Sequence, residues 1–218
     1  MANLIIVGAA GHAKVIADIV NKEGKHRLIG FIDEKLEGEG LGYPIWGQET
    51  DLPQLIEKHQ ITALVIGIGD NHIREKAAVR LQNNFPALDF PAIIHPNTTL
   101  GQEVQIGSGS VIMAQAVVNP CTKVGEFCII NTNASLDHDC TLGDFASLAP
   151  GSTIGGDCVI GKKSAIGIGA TVQHGIQIGE ESVVGAAALV NSNIPACTVA
   201  YGVPAKKIRK REKGEKYL

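Results

Sequence analysis

The residues best equipped for chemistry are a histidine with an acid beside it, His138 and Asp139, in the run Asn131-Thr132-Asn133-Ala134-Ser135-Leu136-Asp137-His138-Asp139-Cys140. Imidazole titrates near neutral pH, so it can take a proton from an incoming nucleophile. A neighbouring carboxylate favours the imidazolium and makes the ring a better base. On residue type alone the pair is either such a base or a surface histidine, and Asn131 either orients a polar substrate or turns a corner. A second group lies near the start, where Gly8-Ala9-Ala10-Gly11-His12 follows an apolar run. A glycine turn before a helix lets a phosphate or a ring come close to backbone N–H groups, although ordinary strand-to-helix turns use the same residues. Five cysteines form an odd set without a C-x-x-C pair, which indicates neither a disulfide framework nor a zinc ribbon.

The elements that must position these groups come in two grammars. Residues 1–90 alternate strand and helix. Leu4 to Val7 is an apolar run, followed by a helical stretch with Val15, Ile16, Ile19 and Val20 on one face. A strand from Leu28 to Ile32 ends at Asp33, and a Gly-rich loop leads to a helix over Asp51 to His59, with Pro53 near its start. Ala63 to Ile68 is a third strand, ending at Gly69-Asp70-Asn71, and a helix runs from about Ile73 to Asn83. This βαβαβ order implies a small Rossmann-like parallel sheet with helices on its faces.

Residues 91–198 obey a period of six. Ile94, Leu100, Ile106, Ile112, Val118, Val124, Ile130, Leu136, Leu142, Leu148, Ile154, Ile160, Ile166, Val172, Ile178, Val184 and Val190 are aliphatic without a break. The residue four places on is small in most hexads, and the residue directly after the aliphatic one is often glycine. Such a period is the signature of a parallel β-helix, a triangular coil with three hexads to the turn. Low aromatic content (4%) and 26 glycines fit this narrow core. Cys128, Cys140 and Cys158 fall in the small inward slot, where a thiol serves as a compact hydrophobe. His138 lies two places after the inward Leu136, so it belongs to the coil wall. Residues 199–218 form a closing segment and a basic tail.

After the repeats comes Tyr201-Gly202-Val203-Pro204-Ala205-Lys206-Lys207-Ile208, and the N-terminal part also carries Phe31-Ile32-Asp33-Glu34 and Gly67-Ile68-Gly69-Asp70-Asn71-His72-Ile73-Arg74. Together with the coil run around His138, these resemble the hexapeptide-repeat sugar acetyltransferases of bacteria, which act on amino sugars and sialic acids. The resemblance implies a left-handed β-helix and acetyl-CoA as co-substrate. It also implies N-acetylation of a nucleotide sugar of the UDP-4-amino-4,6-dideoxy-N-acetylglucosamine type, with O-acetylation of a sialic acid as the alternative. In that family the positions of His138 and Asp139 hold the general base and an acid, often Glu, that raises its basicity; Asn131 would orient the amine. Ala10, Gly11, His12, Asp33, Glu34 and Gly69 would line the sugar-nucleotide pocket, with Asp33 and Glu34 toward the uridine and Asp70, Asn71 and Arg74 nearby. Ser147, Gly156, Ile168 and Ala186 would contact the coenzyme, Ser147 standing where the family frequently has histidine. Lys206, Lys207, Arg209, Lys210 and Arg211 either meet the coenzyme's phosphates or form a solvated tail. The resemblance further implies a homotrimer with sites between neighbouring coils.

Other classes fit less well. A net charge of −3 gives no reason to invoke nucleic acid or a membrane surface. The start has no basic, cleavable leader, and no stretch approaches a membrane span, so a reducing cytoplasm is the expected setting. A nicotinamide dehydrogenase would need the third glycine of the dinucleotide fingerprint, which is absent. A zinc hydrase on this coil would need clustered histidines, whereas His95, His138 and His174 are spread along the chain; no metal is expected. A non-enzymatic sugar-binding scaffold is the remaining alternative.

Overall fold

The computed structural model of the chain describes residues 1–217. The N-terminal domain is built on β1 (Ala2–Val7), which pairs in parallel with β2 (His26–Ile32) on one side and β5 (Ile61–Ile66) on the other. α1 (Gly11–Glu23) crosses between β1 and β2 and stops at Gly24, whose left-handed backbone lets its N–H donate to Val20 O. This helix buries Ala13, Ile16, Ala17, Ile19 and Val20. Val15, expected on that face, is instead 41% exposed, because the buried stripe follows the 13, 16, 17, 20 spacing.

The Gly-rich loop expected after Asp33 holds two further strands, β3 (Gly38–Gly40) and β4 (Tyr43–Trp46), giving the sheet order β3-β4-β2-β1-β5. β4 lies parallel to β2, with Ile45 and Trp46 opposite Phe31 and Ile32. Gly30 makes room for it: a Cβ there would lie 2.6 Å from Pro44 O and 2.7 Å from the Trp46 ring. α2 (Leu52–His59) follows a 3-10 turn over Glu49–Asp51, and α3 (Asn71–Asn84) begins where the Asp70 carboxylate accepts from the N–H groups of His72 and Ile73. The strand order thus reverses at β1, with β2 on one side of it and the later β5 on the other. The crevice at the carboxyl ends of such strands is where open α/β sheets hold ligands.

The second domain is a parallel β-helix of two-residue strands, each pairing with the residue 18 places on. Its three faces carry, inward, Ile112 to Val184 (first face), Val118 to Val190 (second) and Val124 to Ile178 (third). The inward aliphatics are buried from Ile112 onward; Leu100 is 42% exposed because the first turn is open below. At the corners from Leu100 to Val184 the residue three places after each aliphatic adopts positive φ, as at Asn133, Asp139, Gly151 and Asp157. From Ser110 to Ala170 the small slot, which holds Ala116, Ala134 and Cys140, is 0–1% exposed. Cys128, Cys140 and Cys158 donate there to the carbonyls of Gly143, Gly155 and Gln173 at 3.1–3.2 Å, the role Ser110 and Ser164 play in other turns. A hairpin, Thr198–Gly202 with Ala205–Lys210, extends the first face and closes the coil.

The two domains share core. α1 packs on Ile93, Val111, Met113 and Ile129 of the first face. Residues of α3 pack with Phe90 and the stacked rings of Phe127 and Phe145, whose centroids lie 5.2 Å apart. Arg74, fully buried, joins them. Its guanidinium donates to the carbonyls of Phe127 and Phe145 on the coil, to Ile68 and Gly69 in the β5–α3 turn, and to the Asn71 side chain. All five donors are satisfied without a carboxylate partner. The resemblance puts Arg74 near the sugar-nucleotide pocket; its guanidinium latches the two domains together while donating to Gly69 of the β5–α3 turn.

Candidate active site

A cavity of about 430 Å³ lies where the N-terminal domain meets the first face of the coil. Its floor is the outward side of that face, including Ile129, Ser147, Ala165 and Val183, and its rim is the corner between the first and second faces. Of the expected site residues, His12, Gly69, Asn131, Ser147, Ile168 and Ala186 line it. His12 stands at the start of α1, where no side chain caps the helix. Its Nε2 is buried without a hydrogen-bond partner among the described residues. Burial, reinforced by the nearby Arg74 charge, lowers its pKa to about 4, so the ring is neutral at physiological pH. Asn131 Oδ1 accepts its neighbour's N–H, from Thr132 at 2.8 Å, as corner residues do.

Two nucleotide-pocket candidates behave differently. The Asp33 carboxylate accepts from Ala9 N–H at 2.9 Å and from the N–H groups of Lys35 and Leu36, so it fixes the glycine turn to the end of β2. Glu34 faces a separate hollow, lined also by Gln48, Glu49 and Arg80. Ala10 and Gly11 form the turn into α1; among the described residues, Asp70 and Asn71 serve α3 and its seam with the coil.

His138 and Asp139 are elsewhere. They occupy the corner between the second and third faces, at the far edge of the second face from the cavity. His138 Nδ1 and Asp139 Oδ2 are 2.8 Å apart, and both side chains are more than half exposed. The hydrogen bond to Asp139, with Asp137 next in effect, raises the histidine pKa above its usual value. Asp137 in turn accepts from Asn119 Nδ2 and from the His138 N–H. Gly156, expected with the coenzyme contacts, lies one turn above His138: a Cβ there would sit 2.6 Å from His138 Nε2. The sequence-expected site therefore splits into a cavity group and an edge group, with the second face between them.

Gly156, Ile168 and Ala186 share one register, two places after an inward aliphatic. Among the described residues, their N–H groups donate to nothing in the chain. At Glu126, Thr132 and His138, by contrast, the equivalent N–H is taken by Asp144, Asn131 or Asp137. The corners thus leave backbone donors without an acceptor, among the described residues, at the positions expected to meet the coenzyme.

The closing segment is more ordered than a solvated tail. Arg209 pairs with Glu215, and Arg211 is buried, donating to the carbonyls of Glu181 and Glu215. Arg211 also lies over the Tyr217 ring, and Tyr217 lines the cavity, a residue that sequence reasoning did not single out. Among the described residues, no group of three His, Cys, Asp or Glu side chains could hold a metal, and no helix is long and apolar enough to cross a membrane.

Residues 3–81 match the PglD N-terminal domain family. Over 115 residues the chain is 34% identical to the UDP-N-acetylbacillosamine N-acetyltransferase of Bacillus subtilis (strain 168), a match spanning 52% of this chain and about half, 52%, of that relative. A histidine-to-alanine variant of GDP-perosamine N-acetyltransferase from Caulobacter crescentus, in complex with CoA and GDP-perosamine, superimposes with a TM-score of 0.91. It is 31% identical, over 96% of this chain and 98% of that one. The acetyltransferase domain of PglB from Neisseria gonorrhoeae, in complex with acetyl coenzyme A, gives 0.89 at 32% identity, over 94% and 98%.

Proposed function

This chain belongs to the family of sugar N-acetyltransferases that contains those relatives, and from that premise we propose that it transfers an acetyl group from acetyl-CoA to the amino group of a nucleotide-linked amino sugar. The acceptor we favour is of the UDP-4-amino-4,6-dideoxy-N-acetylglucosamine type. The observation that carries this reading is the His138–Asp139 pair, held at 2.8 Å on the coil wall with the free N–H of Gly156 one turn away. A base and an amide donor on one corner are what acyl transfer to an amine requires.

With Nδ1 committed to Asp139, His138 Nε2 takes the proton of the sugar ammonium. The freed amine attacks the thioester carbonyl carbon, and the Gly156 N–H, without a partner among the described residues, stabilises the developing oxyanion. The C–S bond breaks, the proton held by His138 passes to the departing thiolate and the second proton of the attacking nitrogen is lost to solvent, so that the ammonium sugar and acetyl-CoA give the acetamido sugar, free CoA and one proton. The cavity suits the two substrates in different parts. The corner rim between the first and second faces, with the N–H groups of Ile168 and Ala186, fits an amide-bearing pantetheine arm. The crevice at the ends of β1 and β5, with the uncapped start of α1 and the unpartnered His12 Nε2, fits the nucleotide sugar.

Because the cavity and the base stand on different edges of one coil, we propose that the working site forms between copies in a homotrimer, the cavity edge of one meeting the base edge of the next. His12 is the histidine inside the chain's own cavity, but a ring held neutral to about pH 4 is a poor acceptor for an ammonium proton.

The test is a thiol-release assay with acetyl-CoA against UDP- and GDP-linked 4-amino sugars and free sialic acid. Release with a 4-amino nucleotide sugar is expected. Release with sialic acid alone would replace N- by O-acetylation, and ligand binding without release from any acceptor would leave only a binding module.

A further inference from the structure

The outward column of the first face runs Ile93, Val111, Ile129, Ser147, Ala165, Val183, one residue per turn. It is apolar except at one rung. Ser147 carries the column's single hydroxyl, and Ser147 and Ala165 are its small members, so they leave a hollow in an otherwise bulky wall. The hollow is met by a side chain from the other end of the chain. Tyr217 brings its hydroxyl to 3.3 Å from Ser147 Oγ and accepts from the Asn71 N–H at 3.3 Å, with Gly69 O at 3.5 Å.

The segment before Tyr217 is built to hold it there. Arg211 is anchored on Glu181 O and lies 5.5 Å from the Tyr217 ring centroid, and Gly214 N–H donates to Glu181 Oε2. Glu181 is itself paired with Lys163 at 2.8 Å. Gly214 has φ 73 and sits against His72, where a Cβ would come within 2.7 Å of the ring. Residues 211–217 thus form a clip that crosses from the coil to the N-terminal domain and ends inside the cavity.

We propose that the Tyr217–Ser147 hydroxyl pair is a specificity-determining contact for the acceptor sugar, reading a hydrogen-bonding ring substituent from a wall that is otherwise apolar. The placement favours the acceptor over the coenzyme, because Tyr217 touches Gly69 and Asn71 at the N-terminal domain's end of the cavity. Two hydroxyls offer two donors in all. When the phenol donates to Ser147 Oγ the serine proton is free for a ligand; when the serine donates instead, the phenol proton has Gly69 O at 3.5 Å. Burial raises the tyrosine pKa, so the phenol keeps its proton for that bond.

The inference rests on the acetyltransferase reading, and the experiment separates the two. Acceptor KM, acetyl-CoA KM and kcat are measured for wild type, Tyr217→Phe, Ser147→Ala and the double variant, with calorimetric binding of the same nucleotide sugars and thermal melts alongside. Each single variant is expected to raise the acceptor KM and Kd about fivefold, the worth of one hydrogen bond, while acetyl-CoA KM and kcat hold. The double variant is expected to add little, since either change breaks the pair. Unchanged acceptor KM and Kd in both single variants, or a lowered melting temperature as the sole effect, would overturn the pair's role and leave the function intact. A wild type that binds nucleotide sugars but turns none over would overturn the function; the Kd series would then still decide the contact. Absence of both turnover and binding would overturn both.

Discussion

The separation of the cavity from His138 makes a quantitative prediction about mixed assemblies. Two parent variants are chosen, each losing one edge. His138→Ala removes the base and is expected to slow turnover by ~10²–10⁴-fold, the usual worth of such a group. Ala165→Trp places an indole in the cavity, because Ala165 is an outward residue of the first face, 4% exposed, in the cavity wall. Co-expression with two different tags and sequential capture yields only mixed trimers, with compositions of two to one. Around a closed ring of three, either composition contains one junction at which an intact cavity meets an intact base, one at which both are lost, and one between identical variants. Mixed trimers are therefore expected to recover about one third of wild-type thiol release from two nearly inactive parents. If the site were completed within one copy, each subunit would lack one half and recovery would be absent. Mixed trimers no more active than their parents, with each parent folded by thermal melt, would refute the split site; so would a monomer in solution.

Three further outcomes follow from the same geometry. Because the Asp139 hydrogen bond raises the His138 pKa, acceptor kcat/KM should rise with pH through a limb above 6.5; Asp139→Asn should move that limb to lower pH, and a limb near 4 would point to His12 instead. Gly156→Ala puts a methyl against His138 Nε2, so kcat should fall at least tenfold while the melting temperature stays within a few degrees; unchanged kcat would show that the ring is free to move aside. Cys140→Ser keeps a small donor for Gly155 O, so activity should persist and stability should change by no more than about 1 kcal/mol in denaturant titration; loss of turnover would give the thiol a chemical role.

The coil is legible because every hexad makes the same burial choice, so 17 weak signals add coherently. The division of the site is legible too, although in the arithmetic of the turn. His138 and Gly156 differ by 18, as do Ile168 and Ala186, whereas the two pairs are out of step; each pair must share an edge and the edges must differ. What the sequence hides depends on contacts without period. β3 and β4 are masked by Gly38, Gly40, Gly42 and Pro44, residues that normally argue against strands; pairing of β4 with β2 and the packing of Tyr43, Ile45 and Trp46 hold them to the sheet. Tyr217 stands in a charged tail with no local pattern, and its partners Asn71 and Ser147 are 146 and 70 residues away. Arg74 was readable as a charged residue beside a glycine turn, but its five acceptors come from three separate segments.

These features bear on why a base would be set on an open edge. In one copy the His138–Asp139 pair is solvated, and a solvated ion pair contributes little. Its basicity matters only when water is displaced, since the same pair interacts several-fold more strongly at low effective dielectric. A neighbouring cavity edge supplies that displacement at the moment when the acceptor amine arrives on it. The coil therefore needs no loop to carry the base: the 18-residue repeat holds His138 rigidly over Gly156, and assembly brings the substrate to it. On this reasoning the acid limb of the pH profile belongs to the assembled trimer. In a variant that weakens association, the His138 titration followed by NMR should move to lower pH as protein concentration falls, and a titration independent of concentration across the dissociation range would separate basicity from assembly.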